Sequence, residues 1–472
     1  MAKAGERMSR VDTAWLRMDN DVNLMMIVGV WLLKPGLAYD SLCERVEAKL
    51  LKYNRFRQTV VDDALGPLWV DDASFDVRHH VRHEPLHRKP GQTAREALQA
   101  RVGELAATKL DRHRPLWQLQ LVDDYEGGSA LIARVHHCIA DGIALISVML
   151  SITDGGSEPP PRRQKADPDE PADWLSDAVL KPLTDLTVKA IGMYGGGVVK
   201  SMEMLANPQQ PLSGSLDIAR IGYQVVSDAA ALALMPDDSP TRLKGMPIGQ
   251  KQVAWGEPLP LDQVKAVGKA LGCSVNDVLL ACVAGAIGAY LQGKGEDPTG
   301  KEIRAMVPVN LRPLEKAYKL GNRFGLVPLV LPIGIGNPVE RVYAVRQRMS
   351  ELKGSYQPLL AFAVLSVAGL LIKPVQDALL NLFAKKATAV MTNVPGPAHR
   401  MQLCGSTLEQ VMFWVPQSGH IGVGVSILSY GGGVQFGLIT DAKLCPDPQK
   451  IIDGFEPEFN KLLTLTMMLP WG

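Results

Sequence analysis

The sequence predicts an α/β (α+β) protein of two domains. A chain of 472 residues is too long for one simple core. Short apolar runs with strand character are interspersed with longer segments of helical pattern. The stretch Asp154–Pro171 packs Gly155-Gly156, Pro159-Pro160-Pro161 and mixed charges together without periodicity, which marks a linker.

Residues 1–153 form the expected N-terminal domain. A strand is predicted around Ile27–Leu33, a helix near Tyr39–Leu51, strand-like segments at Leu68–Val70 and Phe75–Val77, and a helix near Ala94–Leu110. Pro115-Leu116-Trp117 leads into Gln118–Val122, which alternates as a strand. Glu126-Gly127-Gly128 turns the chain back into the apolar run Ala130–Val135, a buried strand closed by a turn at Asp141-Gly142. Residues 154–250 read as a long crossover, helical in parts from Trp174 and interrupted at Gly195-Gly196-Gly197 and Asn207–Pro211. Residues 251–472 form the second domain. There Ser274 opens a helix to about Leu291, Pro308–Leu311 is strand-like, and Thr392–Pro397 is a turn by composition, Pro395-Gly396 suiting type II. Gly422–Tyr430 and Val434–Thr440 form a hairpin around Gly431-Gly432-Gly433.

Charge and cysteine usage exclude some classes. Lys+Arg 50 against Asp+Glu 49 leaves a net charge of +1, without the basic excess of a nucleic-acid protein. Cys43, Cys138, Cys273, Cys282, Cys404 and Cys445 are too scattered for a disulfide framework or a metal pattern, so a reducing cytosol is the expected compartment. Met1–Arg7 and the polar residues after it lack a signal-peptide core. The longest apolar stretch, Leu359–Ile372, falls short of the roughly 18–20 residues of a membrane span. It reads either as a buried helix or as an interfacial surface, and Ala378–Phe383 before Lys385-Lys386 keeps the second reading open.

The chemistry concentrates at His136-His137-Cys138-Ile139-Ala140-Asp141-Gly142. A histidine at a strand end facing a crevice suits a general base, since its unperturbed pKa of about 6.5 allows proton exchange near neutrality. Adjacent strand residues point to opposite faces, so one histidine can face a crevice while the other supports it. The bland reading is a loop with incidental histidines. Zinc is the weaker rival, because no Cys-x-x-Cys or His-x-x-x-His nearby completes a ligand set. Ser274 with Asp277 is close to a capping box, and Asn276 falls in the first helical turn beside free backbone N–H groups. An amide there suits stabilisation of an oxyanion.

His136–Gly142 matches the HHxxxDG signature of CoA-dependent acyltransferases. With Pro115-Leu116-Trp117, Asn276–Ala281, Pro308–Pro313 and Thr392–Pro397 in order, the chain resembles the bacterial wax ester synthase/acyl-CoA:diacylglycerol acyltransferase family from about Ser9 to about Asp441. The resemblance implies two chloramphenicol-acetyltransferase-like domains, each a mixed sheet flanked by helices, with the active site between them. It implies long-chain acyl transfer from acyl-CoA, as co-substrate, to diacylglycerol or a fatty alcohol, with no tightly bound cofactor and no metal. His137 is then the general base and His136 its support. Asp141 is a structural brace, with Arg312 its expected partner and Arg304 and Arg323 competing, and Gly142 completes the motif. Pro115, Leu116, Trp117, Asp277, Asn393, Pro395 and Gly396 are expected to be substrate-binding or structural. His79, His80, His83, His87, His399 and His420 have no motif context and are expected to be surface or structural.

The chain departs from the family's Ser-Pro-x-Asp pattern at Arg10 in Ser9-Arg10-Val11-Asp12, and further at Thr392 for Ser, at Lys244 for Asn and at Gly288 for Arg, which bears on substrate preference and rate. The competing functions are acyl transfer to a sugar or glycolipid, and a non-catalytic lipid-binding protein of the same fold. The expected location is cytoplasmic, peripheral to the inner membrane face or lipid bodies, as monomer or homodimer.

Overall fold

The computed structural model describes residues 5–156, 234–310, 322, 324–353, 357–368, 373, 376 and 384–468. The first half contains β1 (Glu6–Arg7), α1 (Arg10–Met18), β2 (Met26–Lys34), α2 (Tyr39–Lys49), β3 (Gln58–Asp63), β4 (Gly66–Asp71) and α3 (Val77–His80). It continues with β5 (Val81–Pro85), α4 (Ala94–Ala106), β6 (Trp117–Tyr125), β7 (Gly128–His136) and α5 (Gly142–Ser151). The second half runs β8 (Lys251–Trp255), β9 (Leu259–Pro260), α6 (Leu261–Ala270), α7 (Val275–Gly293), β10 (Ile303–Asn310), β11 (Phe324–Leu331), α8 (Pro338–Lys353) and α9 (Gln357–Ala368). It ends with β12 (Ala389–Pro395), β13 (Gln402–Leu403), β14 (Ser406–Trp414), β15 (Val423–Tyr430), β16 (Gly433–Asp441) and α10 (Gln449–Met467).

Two mixed sheets organise the chain. The first has the order β13-β14-β2-β7-β6-β5 and the second β11-β10-β12-β15-β16-β8, with β9 beside β16. In the first only β5 and β6 run parallel. In the second, β12 runs parallel to both β10 and β15. β7 is buried at every position, as its largely apolar run requires of a central strand covered on both faces. Gly431 and Gly432, both at positive φ, make the tight turn of the β15–β16 hairpin.

Residues 402–414 cross between the two sheets. β13 and β14 belong in sequence to the second domain but pair into the first sheet, β14 lying antiparallel to β2. The core of the first sheet accordingly includes Phe324, Leu365, Val394 and Leu428 from the second half. A separate core packs α7 between the second sheet and α8 and α10. Gly288 of α7 faces the carbonyl of Ile333, where an added Cβ would lie 2.4 Å from the oxygen, so the helix has no room there for a larger side chain. α7 is long and apolar enough to cross a membrane, yet most of it is buried in this core.

Three local expectations change. Phe75–Val77 is not a strand: Asp76 accepts a hydrogen bond from the Arg78 N–H at 2.9 Å and starts α3 instead. Asp141-Gly142 is a helix start and not only a turn, because the Asp141 carboxylate accepts from Ala144 N–H at 2.9 Å and caps α5. Thr392–Pro395 lies within β12, paired residue by residue with β15 through Pro395 and Ser429. The ladder outweighs the turn preference of Pro-Gly, and only Gly396-Pro397 leaves the strand. The described part of Leu359–Ile372 is helical to Ala368, in α9. Ala378–Phe383 and most of the 154–250 crossover lie outside the described residues.

Candidate active site

One cavity of about 720 Å³ opens where the two halves meet, within the roughly 300–1,000 Å³ usual for ligand sites. α1 contributes Trp15 and Met18; the end of β7 and the start of α5 contribute His137, Asp141 and Gly142. The start of α7 contributes Asn276 and Leu279, and α9 contributes Leu360 and Leu365. Apolar side chains dominate the wall. The polar exceptions are His137, Asp141, Asn276, Thr392, Asn393, Ser418 and Ser429.

β7 ends at His136, which pairs with Met26, and His137 N–H donates to the Met25 carbonyl at 2.7 Å. His137 therefore leaves the sheet held by its backbone. Its ring lies flat on Trp15, centroids 4.0 Å apart with 17° between planes, and tilts against Phe324 at 5.6 Å. Burial pushes the imidazole down to about 3, against smaller upward contributions from its own backbone and the Asn322 side chain. The ring is neutral at physiological pH, the form a general base requires.

His136 faces the other side of the sheet and does not line the cavity. Its Nδ1 accepts from Cys138 N–H at 3.1 Å, and its Nε2 lies 3.8 Å from Asp19 Oδ1. Burial, partly offset by Asp19, lowers it to about 4. Cys138 is fully buried, does not line the cavity, and has its thiol pushed well above the ordinary range by burial.

Asn276 and Asp277 divide their work. Asp277 completes a capping box with Ser274: Asp277 N–H donates to Ser274 Oγ at 3.2 Å, and Ser274 N–H donates to Asp277 Oδ2 at 2.9 Å. Asn276 is left to face the cavity, where its Oδ1 accepts from Asn393 Nδ2 at 2.7 Å. That bond commits the Asn276 oxygen and leaves its NH₂ as a donor. Pro395 lines the same wall, while Gly396 holds the strand end against β15, an added Cβ lying 2.6 Å from Ser429 O.

Pro115-Leu116-Trp117 stays outside the cavity. Leu116 accepts from His136 N–H at 2.9 Å, Trp117 pairs with Val135, and the buried indole donates to Phe56 O at 2.9 Å. Trp117 also stacks on the buried His80 at 4.5 Å. The motif thus anchors the strand that carries the histidines. Arg312 and Arg323 lie outside the described residues. Arg304 donates to Pro236 O at 3.0 Å and lies 3.9 Å from Asp238, so its contacts are with that loop.

Four positioning residues were not foreseen. Trp15 and Phe324 enclose the His137 ring. Asn322 Nδ2 donates to His137 O at 2.8 Å and to the buried Asp12 carboxylate at 2.7 Å. Asp12 N–H in turn donates to Ser9 Oγ, the N-cap of α1, at 3.1 Å. The only sequence signal for this chain of contacts is the Ser9–Asp12 spacing.

Residues 8–279 match the model of the wax ester synthase/diacylglycerol acyltransferase catalytic domain, and residues 320–463 match the C-terminal domain of the same family. This chain belongs to the wax ester synthase/diacylglycerol acyltransferase family. It is an acyltransferase enzyme, and His137, Asp141, Gly142, Asn276, Asn393 and Pro395 of its motifs line the one cavity. The probable diacylglycerol O-acyltransferase tgs1 of Mycobacterium tuberculosis H37Rv is 26% identical, over 97% of this chain and 96% of that protein. The wax ester synthase/diacylglycerol acyltransferase of Marinobacter aquaeolei VT8 superposes with a TM-score of 0.65 at 21% identity, covering 98% of this chain and 100% of the other. The starter condensation domain of rhizomide synthetase RzmA, solved with C8-CoA and Leu-SNAC, gives a TM-score of 0.56 at 12% identity, covering 98% and 94%. The acyltransferase thus shares its fold with a condensation domain.

Proposed function

We propose that this acyltransferase moves a long-chain acyl group from acyl-CoA to diacylglycerol, a long-chain alcohol or both, by direct attack with His137 as general base. The observation that carries the reading is a neutral imidazole buried in a large cavity of almost wholly apolar lining. Such a wall favours hydrocarbon chains over a sugar, which would leave its hydroxyls unpaired. The capture of C8-CoA by a condensation domain of this fold supports acyl-CoA as the donor.

In this mechanism His137 Nε2 takes the hydroxyl proton as the acceptor oxygen bonds to the thioester carbonyl carbon. The oxyanion forms together with the imidazolium, so the two charges offset each other in the low-dielectric cavity. The Asn276 amide and the free N–H groups at the start of α7 stabilise the oxyanion. The C–S bond then breaks, and the imidazolium returns its proton to the departing sulfur. Asp141 braces the site through the α5 cap. Because the acceptors are water-insoluble, the enzyme works at a membrane or lipid-body surface.

The test is product formation from palmitoyl-CoA with hexadecanol, dioleoylglycerol or a soluble sugar as sole acceptor. Wax ester or triacylglycerol is the expected product. Ester formation confined to the sugar would contradict the reading.

A further inference from the structure

We propose that Phe413 limits how far a substrate's hydrocarbon chain reaches, by closing the catalytic cavity off from an apolar void beneath α5 that a longer chain would otherwise enter. The proposal rests on the acyltransferase reading above.

A second pocket of about 40 Å³ lies beside the main cavity, against the roughly 10–15 Å³ that one water-sized group occupies. Its floor is the sheet face that carries His137. Along β7, Val135 and Ala133 precede His137 at alternate positions and both line the pocket. Leu145 and Met149 of α5, one helical turn apart, form the roof. Among the described residues its lining is aliphatic or aromatic side chains and Gly29.

The void has an identifiable cause. Phe413, Gly29 and Ala133 are register partners on the adjacent strands β14, β2 and β7. Gly29 supplies no side chain there and Ala133 only a methyl group. Gly29 does not need to be glycine for its backbone: an added Cβ would meet nothing closer than Met412 O at 3.5 Å. Phe413 lines both the main cavity and the pocket, and its ring edge lies 3.8 Å from a Cβ built on Gly142 at the start of α5. It is therefore the partition between catalytic cavity and void. Removing its ring joins the two, with room for a few further methylenes.

The experiment measures kcat/KM for CoA release by the full chain in two arms. One arm varies the thioester from lauroyl- through palmitoyl- and stearoyl- to arachidoyl-CoA with hexadecanol fixed. The other varies the alcohol over the same lengths with palmitoyl-CoA fixed. Phe413→Ala is expected to raise the long-to-short ratio a few-fold per added methylene in one arm, which also names the chain that uses the void. Adding Gly29→Val, which refills the void, should return the ratio to the wild-type value. Phe413→Leu repeats the comparison with a smaller cavity should the alanine variant not fold. Ratios unchanged within about twofold in both arms, with turnover retained, would overturn the proposal. A wild-type chain that releases no CoA with any acceptor would overturn the acyltransferase reading as well.

Discussion

The indole of Trp15 lies flat against the imidazole of His137, ring centroids 4.0 Å apart. The stack excludes water from one ring face and fixes the plane in which the base works. Trp15→Ala removes both effects. We expect kcat to fall about 100-fold, the scale on which misplacing a reacting group costs rate, while Trp15→Phe stays within about tenfold. Steady-state kinetics on folded variants checks this, and equal losses in both would remove the positioning role.

The pH behaviour of activity follows from burial. His137 titrates at about 3, far below its ordinary 6.5. The base is therefore already neutral across roughly pH 5–8. kcat/KM should show no inflection near 6.5 from this group. A steep acid limb centred there, lost in a His137 variant, would contradict the environment described.

Stability carries the opposite signature. His136 and His137 sit at about 4 and about 3 in the fold. Between those values and about 6.5 the unfolded chain binds protons that the folded chain does not. Their contribution is full above about pH 6.5 and declines as pH falls, by at most about 1.4 kcal/mol per pH unit per histidine. Denaturant midpoints at neutral and mildly acidic pH should diverge for wild type and less so for His136→Gln. An identical pH slope in that variant would remove His136 from the account.

Asn276 and Asn393 act as a pair, joined at 2.7 Å. Asn276→Ala should cost about 100- to 1,000-fold in kcat if its amide faces the oxyanion. Asn393→Ala should cost about tenfold, by releasing the Asn276 side chain, and the double variant should be no worse than Asn276→Ala alone. Additive losses would mean that the two side chains act separately.

Direct transfer predicts an inert Cys138. The thiol is buried and held protonated. Cys138→Ala should retain wild-type kcat within about threefold. Radiolabelled acyl group on Cys138 after incubation with acyl-CoA alone would replace direct attack with an acyl-enzyme.

The histidine strand, the α7 capping box and the last hairpin are legible because local signals write them. Ala130–Val135 is an apolar run broken only by Arg134; Ser274 and Asp277 are three positions apart; and consecutive glycines stand between the paired strands β15 and β16. The enclosure of His137 is not legible in the same way. Trp15 reaches it from α1, far away in sequence within the first half, and Asn322 and Phe324 reach it from the second half, all through tertiary contacts alone. Thr392–Pro395 shows the converse: its composition reads as a turn, and pairing with β15 makes it a strand. The return of β14 to the first sheet has no local signal at all, since strand pairing is decided by partner edges far away in sequence.

The central claim is that His137 moves the proton in a direct transfer from CoA to a lipid hydroxyl. The most direct measurement is acceptor-dependent thiol release from palmitoyl-CoA by wild type, His137→Ala and His137→Gln, with folding of each confirmed. The account predicts release that depends on hexadecanol or dioleoylglycerol in wild type and falls at least about 100-fold in both variants. Folded His137 variants that keep acceptor-dependent release near the wild-type rate would contradict it.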